Sequence, residues 1–290
     1  MRPSPPHLFS FGLGYSARVL ARRLKREGWQ VCGTCRGGAA AASLRSEGFA
    51  AFLFDREHPL PASAFAGASH ILVSIPPETE GDPVLLRHGE DIAGLRALSW
   101  LGYLSTTAVY GDCGGGWVDE SAPRRPASER GRRRAAAEDG WRALWREKGV
   151  PVHIFRLAAI YGPGRSPFEA LRSGTAKRIL KPGQVFSRIH VEDLAAVLSA
   201  SMARPRPGAI YNVADDEPAP AEAVVAYAAR LLGMPAPPLV PLDEAALSPL
   251  ARSFYDENRR VRNDRIKEEL HIRLSHPDYR TGLKAILRSA

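Results

Sequence analysis

Short apolar runs alternate with amphipathic stretches from His7 to about residue 200. His7–Phe11, Gln30–Thr34, Ala50–Phe54, His70–Ile75, Leu101–Ser105 and Val152–Leu157 have strand length and are apolar on both faces. Between them, Ala17–Glu27 carries Val19, Leu20 and Leu24 at helical spacing, with Arg and Lys filling the other face. Ala39–Glu47, Pro83–Leu98 and Arg132–Lys148 also read as helices, the last with Trp141 and Trp145 one turn apart. Strands buried on both faces and separated by helices predict a parallel sheet covered on both sides. Right-handed crossovers then make it a doubly wound, Rossmann-type α/β sheet.

Past residue 160 the rhythm loosens. Gly162-Pro163-Gly164 and Lys181-Pro182-Gly183 are turn signals. Helices at Val191–Met202 and Pro220–Leu232 flank a strand-like Ile210–Val213, with Pro-rich segments at 205–207 and 234–241. The expected organisation is a dinucleotide-binding domain over 1–160. A smaller mixed substrate lobe follows over 161–290, with some of its elements rejoining the sheet.

Composition is that of a globular protein, 44% hydrophobic and 24% charged in 290 residues. No apolar run is long enough to span a bilayer. Met1 to Pro6 leads into a strand without the apolar segment of a signal peptide. Three cysteines make no disulfide framework, and a cytoplasmic location is expected. Cys32 and Cys35 form C-x-x-C, but three apart on a strand they point to opposite faces, which argues against a metal or redox pair. The net charge of +9 is local: without Arg124, Arg125, Arg130, Arg132, Arg133 and Arg134 it falls to +3. No aromatic residues interleave with these arginines, so nucleic-acid binding is not expected.

Gly12-Leu13-Gly14-Tyr15-Ser16-Ala17 follows the first strand and opens the first helix. Gly12 permits a tight turn, Gly14 lets backbone approach a pyrophosphate, and Ala17 allows close helix–strand packing. The helix N-terminus adds free N–H groups and a positive dipole end, with Tyr15 and Ser16 in its first turn. Cofactor choice is set just past the second strand, where a carboxylate suits the ribose 2′-hydroxyl of NAD and an arginine the 2′-phosphate of NADP. Arg36 stands there with no acid beside it, so NADP is expected over NAD. Asp55, closing the third strand, is either an adenine acceptor or an ordinary loop residue.

These motifs together resemble the extended short-chain dehydrogenase/reductases, the NAD-dependent epimerase/dehydratase group. Leu104-Ser105-Thr106-Thr107-Ala108-Val109-Tyr110-Gly111-Asp112 is similar to the family's fifth-strand signature. Arg156 to Arg165 is similar to the sixth-strand signature, Arg188 to Ala195 to the return helix, and Val261 to Ile266 to the tail of an atypical branch. The resemblance implies further cofactor contacts at Ser74, Ile75, Pro76 and Ser105. It also implies a small-molecule substrate, a sugar nucleotide or another carbonyl or hydroxyl compound.

The family's catalytic Ser/Thr falls on Thr106. Its Tyr-x-x-x-Lys frame falls on Arg130-Gly131-Arg132-Arg133-Arg134, with Glu138 four residues further on. Arg130 therefore occupies the tyrosine slot and Arg134 the lysine slot. An arginine cannot give up its proton, but it can stabilise an oxyanion or hold a ribose. Tyr110, Asp112, Glu129, Tyr161 and His190 are the other candidate proton carriers. His190 has the most suitable ordinary pKa, and a structural role for it stands beside the catalytic one. Two readings follow: an NAD(P)-dependent oxidoreductase or epimerase with altered acid–base chemistry, or a non-catalytic NADP-binding module. The resemblance also implies a homodimer through Pro83–Leu98 and Arg132–Lys148, with the two tryptophans at its interface or over the chain's own sheet.

Overall fold

A computed structural model describes residues 5–55 and 57–289. The chain opens with β1 (His7–Phe11), α1 (Tyr15–Arg26), β2 (Gln30–Cys35), α2 (Gly38–Ser46), β3 (Ala50–Leu53) and β4 (His70–Val73). Then come α3 (Pro83–Ala93), β5 (Trp100–Thr106), β6 (Trp117–Val118), α4 (Glu129–Lys148), β7 (Val152–Leu157) and β8 (Ala159–Tyr161). The middle of the chain holds α5 (Pro167–Arg172), β9 (Arg178–Leu180), β10 (Arg188–His190), α6 (Val191–Ala203) and β11 (Ile210–Val213). It finishes with α7 (Ala221–Leu231), β12 (Leu239–Pro241), α8 (Pro249–Ser253), β13 (Arg260–Val261), α9 (Asp264–Leu270) and α10 (Tyr279–Arg288).

Two compact units are present. Unit 1 takes Met1–Ser105, Arg133–Phe155 and Ala195–Tyr211; unit 2 takes Thr106–Arg132, Arg156–Leu194 and Asn212–Ala290. The chain thus passes between them several times, where one change near residue 160, with later elements rejoining the sheet, was expected.

Unit 1 is built on the parallel sheet, ordered β11-β7-β5-β4-β1-β2-β3. The order steps outward from β1 in both directions, which is the doubly wound pattern. Its strands hide both faces: β1 and β4 are almost wholly buried. Phe9, Phe11 and Phe65 pack with ring centroids 5.0 to 5.5 Å apart on one side of β1. Burial of such rings contributes about 2 kcal/mol each.

Helix α3 starts where Asp82 accepts hydrogen bonds from the backbone N–H groups of Val84 and Leu85, at 2.9 and 3.0 Å. It closes at Gly94, short of the expected Leu98. Helix α4 begins at Glu129, three residues earlier than its periodicity indicates, because the Ser128 hydroxyl accepts from Gly131 N at 3.2 Å. The tryptophan stripe of α4 faces inward. Trp141 is fully buried, donates from Nε1 to Asp82 Oδ2 at 3.2 Å and packs 5.9 Å from Tyr103. Trp145 covers Gly208, where a Cβ would lie 2.3 Å from the indole. Trp141 therefore covers its own sheet, and Trp145, half-buried, packs against the same core.

Unit 2 has a separate core in which Phe168, Leu171, Tyr227, Tyr279, Leu283 and Ile286 pack together. Gly282 lets α10 close on Tyr161; a Cβ there would sit 2.1 Å from the phenol oxygen. Three small parallel pairs, β8 with β10, β9 with β12 and β6 with β13, complete it. Strands of two or three residues are too short to leave a periodicity in the sequence.

His70, His153 and His190 are buried in neutral form. His153 accepts from Arg206 N at Nε2 (2.8 Å), which leaves Nδ1 to donate to Leu101 O (3.3 Å). His70 lies between Trp29 and Trp100, at 4.7 and 6.2 Å, and His190 packs edge-on to Tyr161 at 5.2 Å. Burial pushes all three imidazoles down to about 4. Below about pH 6.5 the unfolded chain binds protons that the folded chain refuses until about pH 4. Their contribution to stability is therefore complete above about pH 6.5 and is lost as the pH falls towards 4. Calorimetry is expected to show the melting temperature falling steadily from about pH 7 to pH 5. A melting temperature that is flat over that range contradicts this.

Candidate functional site

The cradle of unit 1 forms where β1 and β4 lie side by side and their crossovers leave in opposite directions. Gly12 has φ +88°, a conformation that side chains rarely adopt. A Cβ on it would meet Ser74 Oγ at 2.8 Å and Ile75 Cγ1 at 3.0 Å. The turn is held from two sides. Gly12 N donates to Thr34 Oγ1 at 2.8 Å, and Leu13 N donates to the Thr34 carbonyl at 2.7 Å. The Ser74 hydroxyl donates to the carbonyls of Phe11 and Gly12.

Gly14 stands at the start of α1, where no side chain caps the helix, and a Cβ there would meet nothing within 4 Å. Tyr15 and Ser16 are half-buried in the first turn, and Ala17 is packed at 1% exposure. Pro76 is exposed beyond Ile75. Arg36 is exposed one residue past β2, between Cys35 and the glycines that open α2. Asp55 accepts from the backbone N–H groups of Glu57 and His58, both at 2.9 Å. A further bond to the His58 ring leads the causes that hold its carboxyl below the usual range. The Asp55 carboxylate is thus engaged in its own loop through Oδ1.

A buried polar group lies at the carboxyl end of β5, also in unit 1. Ser105 donates to Glu138 Oε1 at 2.6 Å, and both are buried. Arg134 donates from Nη1 to the Leu104 carbonyl at 2.7 Å and to Tyr103 Oη at 3.3 Å. The residue in the lysine slot is therefore anchored to the strand that carries Ser105.

Unit 2 contains a cavity of about 160 Å³. Thr106, Ser128, Arg130, Ser187, Phe254 and Glu257 are among its walls, so the structure brings Thr106 and Arg130 together. Thr106 Oγ1 accepts from Ala108 N at 3.2 Å, starting the turn that follows β5. Arg130 lies 4.8 Å over the Phe254 ring. Gly131 permits the close packing beneath it: a Cβ would come 3.1 Å from the Ala108 carbonyl. The arginine run does not make one basic face. Arg134 turns inward, Arg130 lies on Phe254 and Arg132 donates to the Ala127 carbonyl.

The other candidate proton carriers are elsewhere. Tyr110 is buried; its hydroxyl donates to Asn212 Oδ1 (2.7 Å) and accepts from Arg156 (2.9 Å), and burial pushes it up to about 12. Tyr161 donates to the Asp278 carbonyl at 3.3 Å, and burial raises it further. Asp112 accepts from Asn258 N at 2.7 Å, which holds its carboxyl below the usual range. Glu129 is exposed at the first position of α4.

His190 is buried at 3% exposure and is not among the residues lining the cavity. Its ring lies 3.9 Å from that of His276, the two planes inclined by 32°. Asp193 binds that partner, accepting from Ser275 N, His276 N and His276 Nδ1 at 2.8 to 3.0 Å. His190, Asp193 and His276 form a latch on the segment around residue 275.

The NAD dependent epimerase/dehydratase family profile matches residues 93–214. Protein YeeZ of Escherichia coli (strain K12) is 30% identical over 238 residues, 78% of this chain and 84% of YeeZ. The chain belongs to the NAD dependent epimerase/dehydratase family. Among solved structures, a functionally unknown conserved protein from Silicibacter pomeroyi DSS is 55% identical. Its TM-score is 0.92, over 98% of this chain and 99% of that one. The UDP-glucuronic acid 4-epimerase of Bacillus cereus, solved with UDP-glucuronic acid and NAD, is 15% identical with a TM-score of 0.79. That match covers 97% of this chain and 98% of the other, and is a likeness of fold.

A nicotinamide dinucleotide is the cofactor of an epimerase/dehydratase chain, and the cradle fits one. Gly12 keeps open the space a side chain would fill, and α1 presents an uncapped N-terminus beside it. Sequence reasoning missed Thr34, which holds the turn, and Glu138 as the partner of Ser105. Thr34 was visible as a polar residue closing an apolar strand; the Ser105–Glu138 pairing is long-range and leaves no local signal.

Gly12→Ala is expected to cost about 1–3 kcal/mol, from the positive φ and the clash with Ser74. It is also expected to weaken binding of the nicotinamide dinucleotide at least about tenfold. Thermal unfolding and a fluorescence titration with NADH and NADPH measure the two, and native-like dinucleotide binding by the variant contradicts the cradle.

Proposed function

We propose that the chain is an NADP-dependent oxidoreductase or epimerase-like enzyme acting on a small carbonyl or hydroxyl compound. The observation that carries this reading is the cavity of unit 2. Thr106 and Arg130, the two residues in the Ser/Thr and tyrosine slots of the family's frame, face it together. The cofactor supplies hydride exchange. Gly12, Gly14, Tyr15, Ser16 and Ala17 hold its pyrophosphate, and Ser74, Ile75, Pro76 and Ser105 border it. Arg134 holds the nicotinamide ribose from the lysine slot, and Asp55 remains a candidate for the adenine.

Arg130 takes a different part from the tyrosine whose slot it fills. A guanidinium does not release its proton, so it stabilises negative charge developing on a substrate oxygen. The Thr106 hydroxyl hydrogen-bonds that same oxygen and passes it the proton that turns the alkoxide into a hydroxyl, its own proton being replaced from water. His190, neutral and enclosed, serves the latch and not the reaction. Sugar nucleotides belong to the substrate classes to be tried, since the Bacillus cereus epimerase was solved with one.

With NADPH and a panel of aldehydes, ketones and sugar nucleotides, the native protein is expected to consume NADPH with at least one member. Arg130→Ala is expected to lower that turnover by about two to three orders of magnitude at most, the worth of one oxyanion-stabilising group. A native rate in Arg130→Ala contradicts the assignment.

NADP preference rests on Arg36, exposed past β2 with no carboxylate next to it. Arg36→Ala is expected to weaken NADPH binding about ten- to a hundredfold, the loss of a charge-assisted pair with the 2′-phosphate. NADH binding stays near the native value. Equal affinity of the native protein for NADH and NADPH removes the preference.

A further inference from the structure

Glu257 is placed unusually for a buried carboxylate. Its side chain is 9% exposed. One oxygen, Oε2, accepts from Arg259 Nη1 at 2.7 Å, and the same Nη1 donates to the Gly111 carbonyl at 2.8 Å. The backbone is pinned as well, because Gln184 donates from Nε2 to the Glu257 carbonyl at 2.9 Å. The other oxygen, Oε1, is buried with no hydrogen-bond partner. Glu257 lines the cavity that Thr106 and Arg130 also line.

A buried acceptor without a donor is costly, and folded proteins leave few of them. This one is held rigidly by Arg259 and belongs to a cavity wall, so a ligand can supply the missing donor. The charges around it narrow the choice. Arg130 and Arg259 both border the cavity with Glu257, which leaves a positive balance among these three. An ammonium group would meet that balance unfavourably, whereas a hydroxyl donates to Oε1 without adding positive charge. Arg130 in turn suits a carboxylate or carbonyl oxygen.

We infer that Glu257 is a specificity residue, accepting a hydrogen bond from a hydroxyl of a neutral or anionic substrate whose carbonyl or carboxylate oxygen meets Arg130. This rests on the reading of the cavity as the substrate site. It predicts that hydroxylated compounds are preferred over deoxy analogues of the same size and charge, and that the preference lies in binding.

D-glycerate and propionate make a matched pair of anions, both with three carbons, that differ only in hydroxyl groups. Ligand-observed saturation-transfer NMR on the full-length protein reads binding of each without any turnover. The native protein is expected to favour glycerate by about tenfold, the worth of one hydrogen bond to a charged group. E257L removes the acceptor without supplying another polar group and is expected to bind the two anions alike. E257D keeps the charge but withdraws it by one methylene, and is expected to lose the preference too. Circular dichroism confirms the fold of each variant, and either folded variant suffices for the comparison. No glycerate preference in the native protein, or one that survives in both variants, overturns the inference. A native protein that favours glycerate through Glu257 yet consumes no NADPH overturns the catalytic reading instead and leaves this one standing.

Discussion

The closeness of three backbone segments at Gly12 is the constraint on which the rest of unit 1 depends. β1 ends there, Thr34 at the end of β2 grips the turn from one side, and Ser74 after β4 grips it from the other. A residue without a Cβ and with a positive φ is what lets them meet. β2 and β4 stay paired with β1 on either side, their crossovers leave in opposite directions, and α1 starts there with no side chain capping its N-terminus. The binding property comes from the same compromise as the fold: a helix start without a side-chain cap is stabilised when an anion arrives.

Much of unit 1 was legible in the sequence because its strands are buried on both faces. A run such as His70–Val73 has few ways to be soluble except inside a covered parallel sheet. The glycine spacing pointed to the cradle for a local reason, since turn, helix start and close packing all fall within six residues. What was not legible depends on distance along the chain. Glu257 and Thr106 are separated by about half the chain, and no local pattern pairs them. The tryptophans of α4 show a second limit. Periodicity says that Trp141 and Trp145 share a face, but not whether that face meets the chain's own sheet or a neighbour. For Trp141 the packing against Tyr103 and Asp82 decides it.

Unit 2 contrasts with this. Its small two-stranded pairs contribute little cooperative hydrogen bonding, and side chains take over the work of joining distant segments. Asp193 binds the backbone at Ser275 and His276, Asn263 donates to the Ala214 carbonyl at 2.9 Å, and Gln184 and Asn258 hold the segment around Glu257. The arginine run seen in the sequence is likewise divided among separate jobs. One member supports a strand end, one lies on an aromatic ring and one closes a turn, so a single charge count describes none of them.

The interleaving of the two units along the chain has a consequence in time. During synthesis β1 to β5 appear first, but unit 1 still lacks α4, β7 and β11, the last of which arrives with Ile210 and Tyr211. Unit 2 opens at Thr106 and waits for α10 to bring Tyr279, Leu283 and Ile286 to its core. Neither unit can close until well over half of the chain has left the ribosome, and the unpaired edge of β5 stays exposed meanwhile. A topology of this kind, with long-range pairings completed late, favours slow folding and leaves strand edges open while the chain grows.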